Sequence, residues 1–216
     1  SAGSLRNYLV KKERFFVRGL AGRRGRVLDL GCGGGWRLYK RVGPVVGVDV
    51  SRGSLAVAGT LYDAVVQARL EALPFAPASF DFVVSSDVLG HVEPAEKDAV
   101  LAEIRRVLRP GGRTLHYVET EGQDPLMRWA RRRPDLYERH VVLPEGHIGM
   151  ETASATLARF RRAGFRPVEE LAAYRGLMYI GRVVQLFDNE YADLSPAVRM
   201  LVRIGRAVQR VPPLEM

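Results

Sequence analysis

Three groups of residues have types and spacing suited to chemistry. The first is the turn Gly31-Cys32-Gly33-Gly34-Gly35, where glycine permits positive φ and lets backbone N–H groups approach a ligand with no Cβ in the way. The second is Asp49, 18 residues beyond Gly31, placed so that its carboxylate can accept hydrogen bonds from both hydroxyls of a ribose. A strand-end aspartate can equally cap a helix, a duty that Ser51 could also perform. A dinucleotide fingerprint would need glycine at 31, 33 and 36, and Trp36 stands at the third position, so the turn suits another nucleoside ligand. The third group is histidine: His91 and His147 are candidate general bases, while His116 reads as a strand residue. Tyr117 and Glu119 are weaker candidates for an acceptor pocket. Asp87 and His91 supply only two potential metal ligands, so no metal is expected. The single cysteine, Cys32, suits the turn as a small side chain, and no thiol chemistry is expected of it.

The elements that must position these residues alternate. Leu5, Leu9, Phe16 and Leu20 have helical spacing and predict a leading amphipathic helix over 4–20. Apolar runs at 26–30, 45–50, 64–66, 80–85 and 113–118 predict five strands. A short helical stretch at 36–42 and a strong helix over 94–108, ended by Pro110-Gly111-Gly112, fall between them. Parallel strands need crossover connections that cover the sheet, so the fold class is α/β, a doubly wound, mostly parallel sheet with helices on both faces. Residues 122–150, rich in proline and glycine around the arginine-rich piece Leu126 to Arg133, read as an inserted lid. A helix over 152–163 stops at Gly164, and a sixth strand is predicted over 166–171. One compact domain of 216 residues is expected, divided into an N-terminal helix (1–25), a cofactor-binding core (26–120), the lid (121–150) and a C-terminal part (151–216). Beyond 171 no further strand is evident; the rest of the chain is either helical or holds one around 178–186.

The run Val27-Leu28-Asp29-Leu30-Gly31-Cys32-Gly33-Gly34-Gly35 resembles the first motif of class I S-adenosylmethionine-dependent methyltransferases. Leu73-Pro74-Phe75 with Ser79-Phe80-Asp81, then Val88-Leu89-Gly90-His91-Val92, then Leu108-Arg109-Pro110-Gly111-Gly112 follow in family order and spacing. Within that superfamily, with its Rossmann-like fold, the chain is most similar to the ubiquinone/menaquinone-biosynthesis-like group, whose members mostly methylate small molecules. The resemblance implies S-adenosyl-L-methionine as cofactor. It implies that Asp29, Gly31 and Gly33, in the turn that includes Cys32, cradle the methionine part, that Asp49 and Val50 hold the ribose, and that Ser86 lies near the methionyl end. Relatives usually carry an acid four positions before the Leu-Pro-Phe motif. This chain has Arg69 there, which leaves the adenine contact to the backbone at Leu70. Relatives also often carry glutamate where this chain has Gly90, so a step assisted by an acid or a metal through that residue is not expected.

The activity this reading implies is methyl transfer to a small-molecule acceptor, lipid-like or sugar-containing. The sulfonium is already a strong electrophile, so alignment is the protein's main task, and a base would add about 10²- to 10⁴-fold for a hydroxyl or amine acceptor. The net charge of +9 raises the alternative of an RNA methyltransferase, supported by Arg131-Arg132-Arg133. Its distribution weakens that alternative. Residues 1–26 hold eight Lys or Arg against one acid, and residues 27–121 hold ten against twelve. No RNA-binding module is recognisable, so nucleic acid is not expected as a partner. A regulatory module that binds cofactor without turnover is the remaining alternative. Residues 195–211 form a basic amphipathic pattern that either packs on the domain or makes peripheral contact with an anionic membrane surface. No apolar run approaches the roughly 20 residues that span a bilayer, no signal peptide is evident, and the cytoplasm is the expected compartment.

Overall fold

In this computed structural model the described residues are 2–121, 128, 131–138, 142 and 146–170. The chain divides into two compact units, one formed by Phe15–Thr120 with His147–Glu169, the other by Ser1–Arg14, Glu121–Gly146 and Glu170–Met216.

The first unit is built on five parallel strands, β1 (Val27–Leu30), β2 (Val45–Asp49), β3 (Ala64–Gln67), β4 (Phe80–Ser86) and β5 (Leu108–Tyr117). Their order in the sheet is β3-β2-β1-β4-β5. The chain winds outward from β1 to β3 on one side, then returns to lay β4 against the other side of β1. That reversal makes the carboxyl ends of β1 and β4 the place where crossover connections part and leave a crevice. The central strand β1 is buried along its whole length, which is why it reads as an unbroken apolar run save for Asp29.

Alternate residues of the central strands feed two cores. Val27, Val45, Phe82 and Val84 face one side with Phe16, Leu20 and Tyr39. Leu28, Leu30, Val46, Val48 and Val83 face the other. Phe16 and Leu20 are four residues apart on helix α1 (Ala2–Leu20), so its last turns bury one face. Leu9, although in phase with the apolar pattern, is about half exposed. Between β2 and β3 runs α2 (Arg52–Ala58). Helix α3 (Lys97–Val107) covers the second core with Val100, Leu101, Ile104 and Val107, a helical stripe. Truncating a fully buried residue such as Ile104 to alanine costs about 2–5 kcal/mol.

The helix predicted over 94–108 thus begins three residues later and ends at Val107, and β5 follows at once. Phe80 pairs with Leu108 and Phe82 with Arg113, so Pro110-Gly111-Gly112 are accommodated in an irregularity of the ladder rather than outside it. Helix α4 (Pro134–Tyr137), one turn in the second unit, is accompanied there by an Arg131–Glu121 ion pair of 3.2 Å. Helix α5 (Ala153–Arg162) is capped by Thr152, whose Oγ1 accepts from the Ala155 N–H at 3.1 Å, and it ends before Gly164 at φ +85°.

The sixth strand predicted over 166–171 is corrected by the structure: residues 166–170 form no strand. Val168 is 72% exposed, so the run lacks the buried face that ties a strand to a sheet, and Pro167 offers no N–H to a ladder. Most of Leu126 to Arg133, and the whole of the runs 178–186 and 195–211, lie outside the described residues. Among the described residues, no helix is long and apolar enough to cross a membrane.

Candidate functional site

At the carboxyl end of β1 the chain leaves the sheet through Gly31, Gly33 and Gly35, at φ +60°, +51° and +79°. The Cys32 N–H still donates to the Val48 carbonyl at 2.9 Å, and the Gly35 N–H closes the turn on the Cys32 carbonyl at 2.8 Å. Asp49, at the end of β2, accepts from the Gly33 N–H at 2.9 Å through one oxygen and from the Ser51 N–H at 2.8 Å through the other. The cap of α2 is Ser51, whose Oγ accepts from the Ser54 N–H at 3.2 Å. Asp49 is therefore tied to the glycine turn instead of capping the helix. Each of its oxygens has a second lone pair, enough to accept two further hydroxyls. A Cβ at Gly33 would meet nothing within 4 Å, so this part of the turn is open to a ligand, although φ alone would strain any side chain there. Val50, next to Asp49, is 62% exposed.

Asp29 lies beneath the turn, buried in the first core with the Tyr62 hydroxyl donating to it at 2.6 Å. That hydroxyl in turn accepts from the Trp36 N–H at 2.6 Å. Burial pushes the Asp29 carboxyl up to about 7, the Tyr62 bond opposes the shift, and the charge of Asp49 adds to it. Tyr62 was not singled out in the sequence, because no short-range pattern links it to residue 29. Trp36 packs edge-on against Phe16 and Tyr39, so the residue that breaks the dinucleotide fingerprint fastens the turn to the aromatic core. Cys32 is buried, and desolvation with the nearby charges of Asp29 and Asp49 pushes its thiol up to about 12. It remains a protonated packing residue.

The carboxyl end of β4 carries the second group. Ser85 is buried and its Oγ is bonded to His116 Nδ1 at 2.7 Å. Burial lowers His116 to about 3, so it is a neutral strand residue, as the sequence implied. Ser86 Oγ donates to Asp87 at 3.1 Å, and Asp87 adopts a left-handed φ of +58°, uncommon for a residue with a side chain. Arg69 is exposed and spent on Glu71 and Glu96, the latter at 2.7 Å, while Leu70 is part of the rim of the second core. Arg106 donates to the carbonyls of Leu73 and Phe75 at 2.9 and 2.6 Å, and Glu103 accepts the Leu73 N–H at 2.8 Å. The Leu73-Pro74-Phe75 motif is thereby clamped to α3.

The structure brings both histidine candidates together. His91, exposed, and His147, buried, have ring centroids 4.7 Å apart. Glu119, beyond the end of β5, contacts His147 Nε2. Ligand-type atoms of the three residues all lie within 4.8 Å of one another. The segment that carries His147 is strapped down: Gly149 N–H donates to the Gly90 carbonyl at 2.9 Å, and the buried Lys97 donates to the Gly149 carbonyl and pairs with Glu151 at 3.2 Å. Arg159 secures Glu151 at 2.6 Å and Asp98 at 2.6 Å. A Cβ at Gly90 would rest 3.7 Å from the His147 ring. In place of an acid at that position, the carboxylate beside this histidine comes from Glu119.

A family model described as a methyltransferase domain matches residues 28–116. The malonyl-[acyl-carrier protein] O-methyltransferase of Erwinia pyrifoliae is 38% identical over 198 residues, covering 89% of this chain and 66% of that protein. The ubiquinone/menaquinone biosynthesis C-methyltransferase UbiE of Yersinia pestis is 31% identical over 183 residues, covering 77% and 69%. An uncharacterized methyltransferase of Synechocystis, sll0829, is 38% identical over 95 residues, 40% of this chain and 43% of that one. The chain thus spans between 43% and 69% of these three relatives. Among solved structures, YcgJ of Bacillus subtilis superposes with a TM-score of 0.62 at 18% identity, covering 87% of this chain and 86% of that one. A Haemonchus contortus phosphoethanolamine N-methyltransferase, in complex with phosphomonomethylethanolamine and S-adenosylhomocysteine, superposes with a TM-score of 0.61 at 22% identity, covering 96% and 49%. These two likenesses establish the α/β methyltransferase fold. Together with the motif order around the glycine turn, the sequence matches show that the chain belongs to the class I S-adenosylmethionine-dependent methyltransferases, in the UbiE-like group.

Proposed function

We propose that this protein methylates a small molecule bearing an ionisable hydroxyl or an acidic C–H, with a lipid-like or sugar-containing acceptor as the first class to test. The observation that carries the reading is the pairing of two sites outside the carboxyl ends of the strands: Asp49 locked to the glycine turn, and the His91–Glu119–His147 cluster. Relatives named for O-methylation and C-methylation support it.

The turn fits S-adenosyl-L-methionine. The open flank at Gly33 leaves room for a ligand against the backbone. Gly31, Cys32 and Gly33 with Asp29 would hold the methionine part, and Asp49 would accept the ribose hydroxyls. The exposed Val50 would offer an apolar face near the base, with the backbone at Leu70 next to the adenine and Ser86 near the methionyl end. When bound, the cofactor supplies an electrophilic methyl group on a sulfonium. The chain's part is alignment and proton removal. The proton that the acceptor gives up on methylation would pass to the His91–His147 pair. Glu119, in contact with His147 Nε2, stabilises the imidazolium that results.

The test is incubation with methyl-labelled S-adenosylmethionine and an extract of the source organism, with Asp49→Ala as control. Label in a lipid or small-molecule fraction, lost in the variant, is the expected result. Label in RNA, or cofactor binding with no transfer to any fraction, would overturn the reading.

A further inference from the structure

The cluster at the acceptor end has a composition that acid–base chemistry alone does not require. Two imidazoles and one carboxylate converge from three separate parts of the chain: the short 3-10 helix Leu89–His91, the segment beyond β5, and the segment before α5. Ligand atoms on a tetrahedral zinc-class ion, each about 2.0–2.2 Å from the metal, stand about 3.5 Å from one another. Here the three candidate atoms already lie within 4.8 Å, so side-chain rotation of about an ångström closes the set. We propose that His91, Glu119 and His147 bind one divalent transition-metal ion of the zinc class.

The ligand chemistry sets the class of ion. Imidazole suits zinc, cobalt, iron and copper, whereas magnesium and calcium favour all-oxygen sets. The site is graded in exposure, with His147 buried at 7%, Glu119 partly covered and His91 open. A structural zinc site is closed by four protein ligands, while three ligands and an open side leave positions for water or an acceptor oxygen. The Lys97–Glu151–Arg159 network and the Gly149–Gly90 bond fix the segment that presents His147, the kind of surrounding support that keeps metal ligands in geometry. A Cβ at Gly90 would stand in ordinary contact with the His147 ring, the Glu119 carbonyl oxygen and Met150, so the glycine lies directly against the cluster. This inference rests on the acceptor-end reading above and changes its proton chemistry: with an ion bound, the imidazoles are ligands and no longer take the proton, and the divalent charge instead favours the anion of an acceptor hydroxyl. Its test needs no turnover.

Titration of the metal-stripped full chain with Co²⁺, followed by visible absorption and calorimetry, reads binding directly. The expected result is one equivalent of Co²⁺, displaced by Zn²⁺, with affinity reduced at least about tenfold in His91→Asn and in Glu119→Gln. His91 is exposed, so its variant should melt like the parent and separates ligand loss from misfolding. Equal binding by the parent and a triple variant lacking all three groups would overturn the proposal, as would no binding by either. Methyl transfer by the stripped protein bears on the acceptor-end chemistry and not on whether the ion binds.

Discussion

At the scale of single residues, Asp49 and Asp29 meet the glycine turn in different ways. Asp49 is held by two backbone amides and has lone pairs to spare, and hydrogen bonds to a charged group are worth about 1.5–3 kcal/mol each. Asp49→Ala is therefore expected to weaken S-adenosylmethionine binding by roughly 10²-fold, measured by calorimetry, with unchanged circular dichroism. Asp29 has the opposite character. Its carboxyl is raised from 3.8 to about 7, mainly by burial, so the folded protein holds this proton more tightly than the unfolded chain. The stabilisation from that proton is full below the unfolded value, declines as pH climbs, and is gone above about 7. Asp29→Asn keeps an oxygen for Tyr62 to bond without the charge. It should gain stability relative to the parent as pH rises from about 4 to 7; a difference in unfolding free energy that stays flat over that range would refute the burial argument. Asp49 could be singled out in the sequence because it stands at a strand end at a fixed distance from the turn. Tyr62 was not, because its hydroxyl reaches Asp29 across 33 residues and only packing sets that encounter.

At the scale of elements, the segment 147–151 is the part whose placement bears most directly on the acceptor-end chemistry we propose. A Cβ at Gly149 would overlap the Val92 carbonyl oxygen, which is backbone and cannot turn aside. Gly149→Ala should cost about 1–3 kcal/mol and lower the melting temperature by roughly 2–4 °C per kcal/mol. It should cut turnover more than it cuts cofactor affinity, since the glycine turn is untouched. Lys97→Met removes the buried ammonium that holds Gly149 and Glu151. The same split is expected, kcat down with cofactor Kd nearly unchanged, and equal losses in both would mean the strap supports the whole fold instead. The strands β1, β2 and β4 were visible as apolar runs because burial on both faces demands them, whereas the edge strands β3 and β5 are only partly buried. The sixth failed for the converse reason: residues 166–170 have apolar character at Val168 but no surface that buries it. The Pro110-Gly111-Gly112 signal ended α3 as expected, yet the strand absorbed it, a choice made by the β4 ladder and not by local propensity.

At the scale of the molecule, cofactor binding should be visible as stability. A ligand at a hundred times its Kd adds about 2.7 kcal/mol, so S-adenosylmethionine should raise the melting temperature by several degrees, and Asp49→Ala should abolish the shift. The net charge of +9 is a property of the whole chain, whereas the core that carries the turn is close to neutral. RNA affinity is accordingly expected to be weak at physiological salt, and a steep loss of tight RNA binding with added salt would count against small-molecule specificity. What the sequence by itself determined was the α/β class, the alternation of strands and helices, and the glycine turn. Those features follow from periodicity, glycine and short spacing, which are local. Only the tertiary structure decided that Tyr62 seals Asp29, that Lys97 straps the 147–151 segment, and that His91, Glu119 and His147 meet. Those encounters join residues far apart in the chain, and their geometry depends on how strands register and helices pack, which no short stretch of sequence encodes.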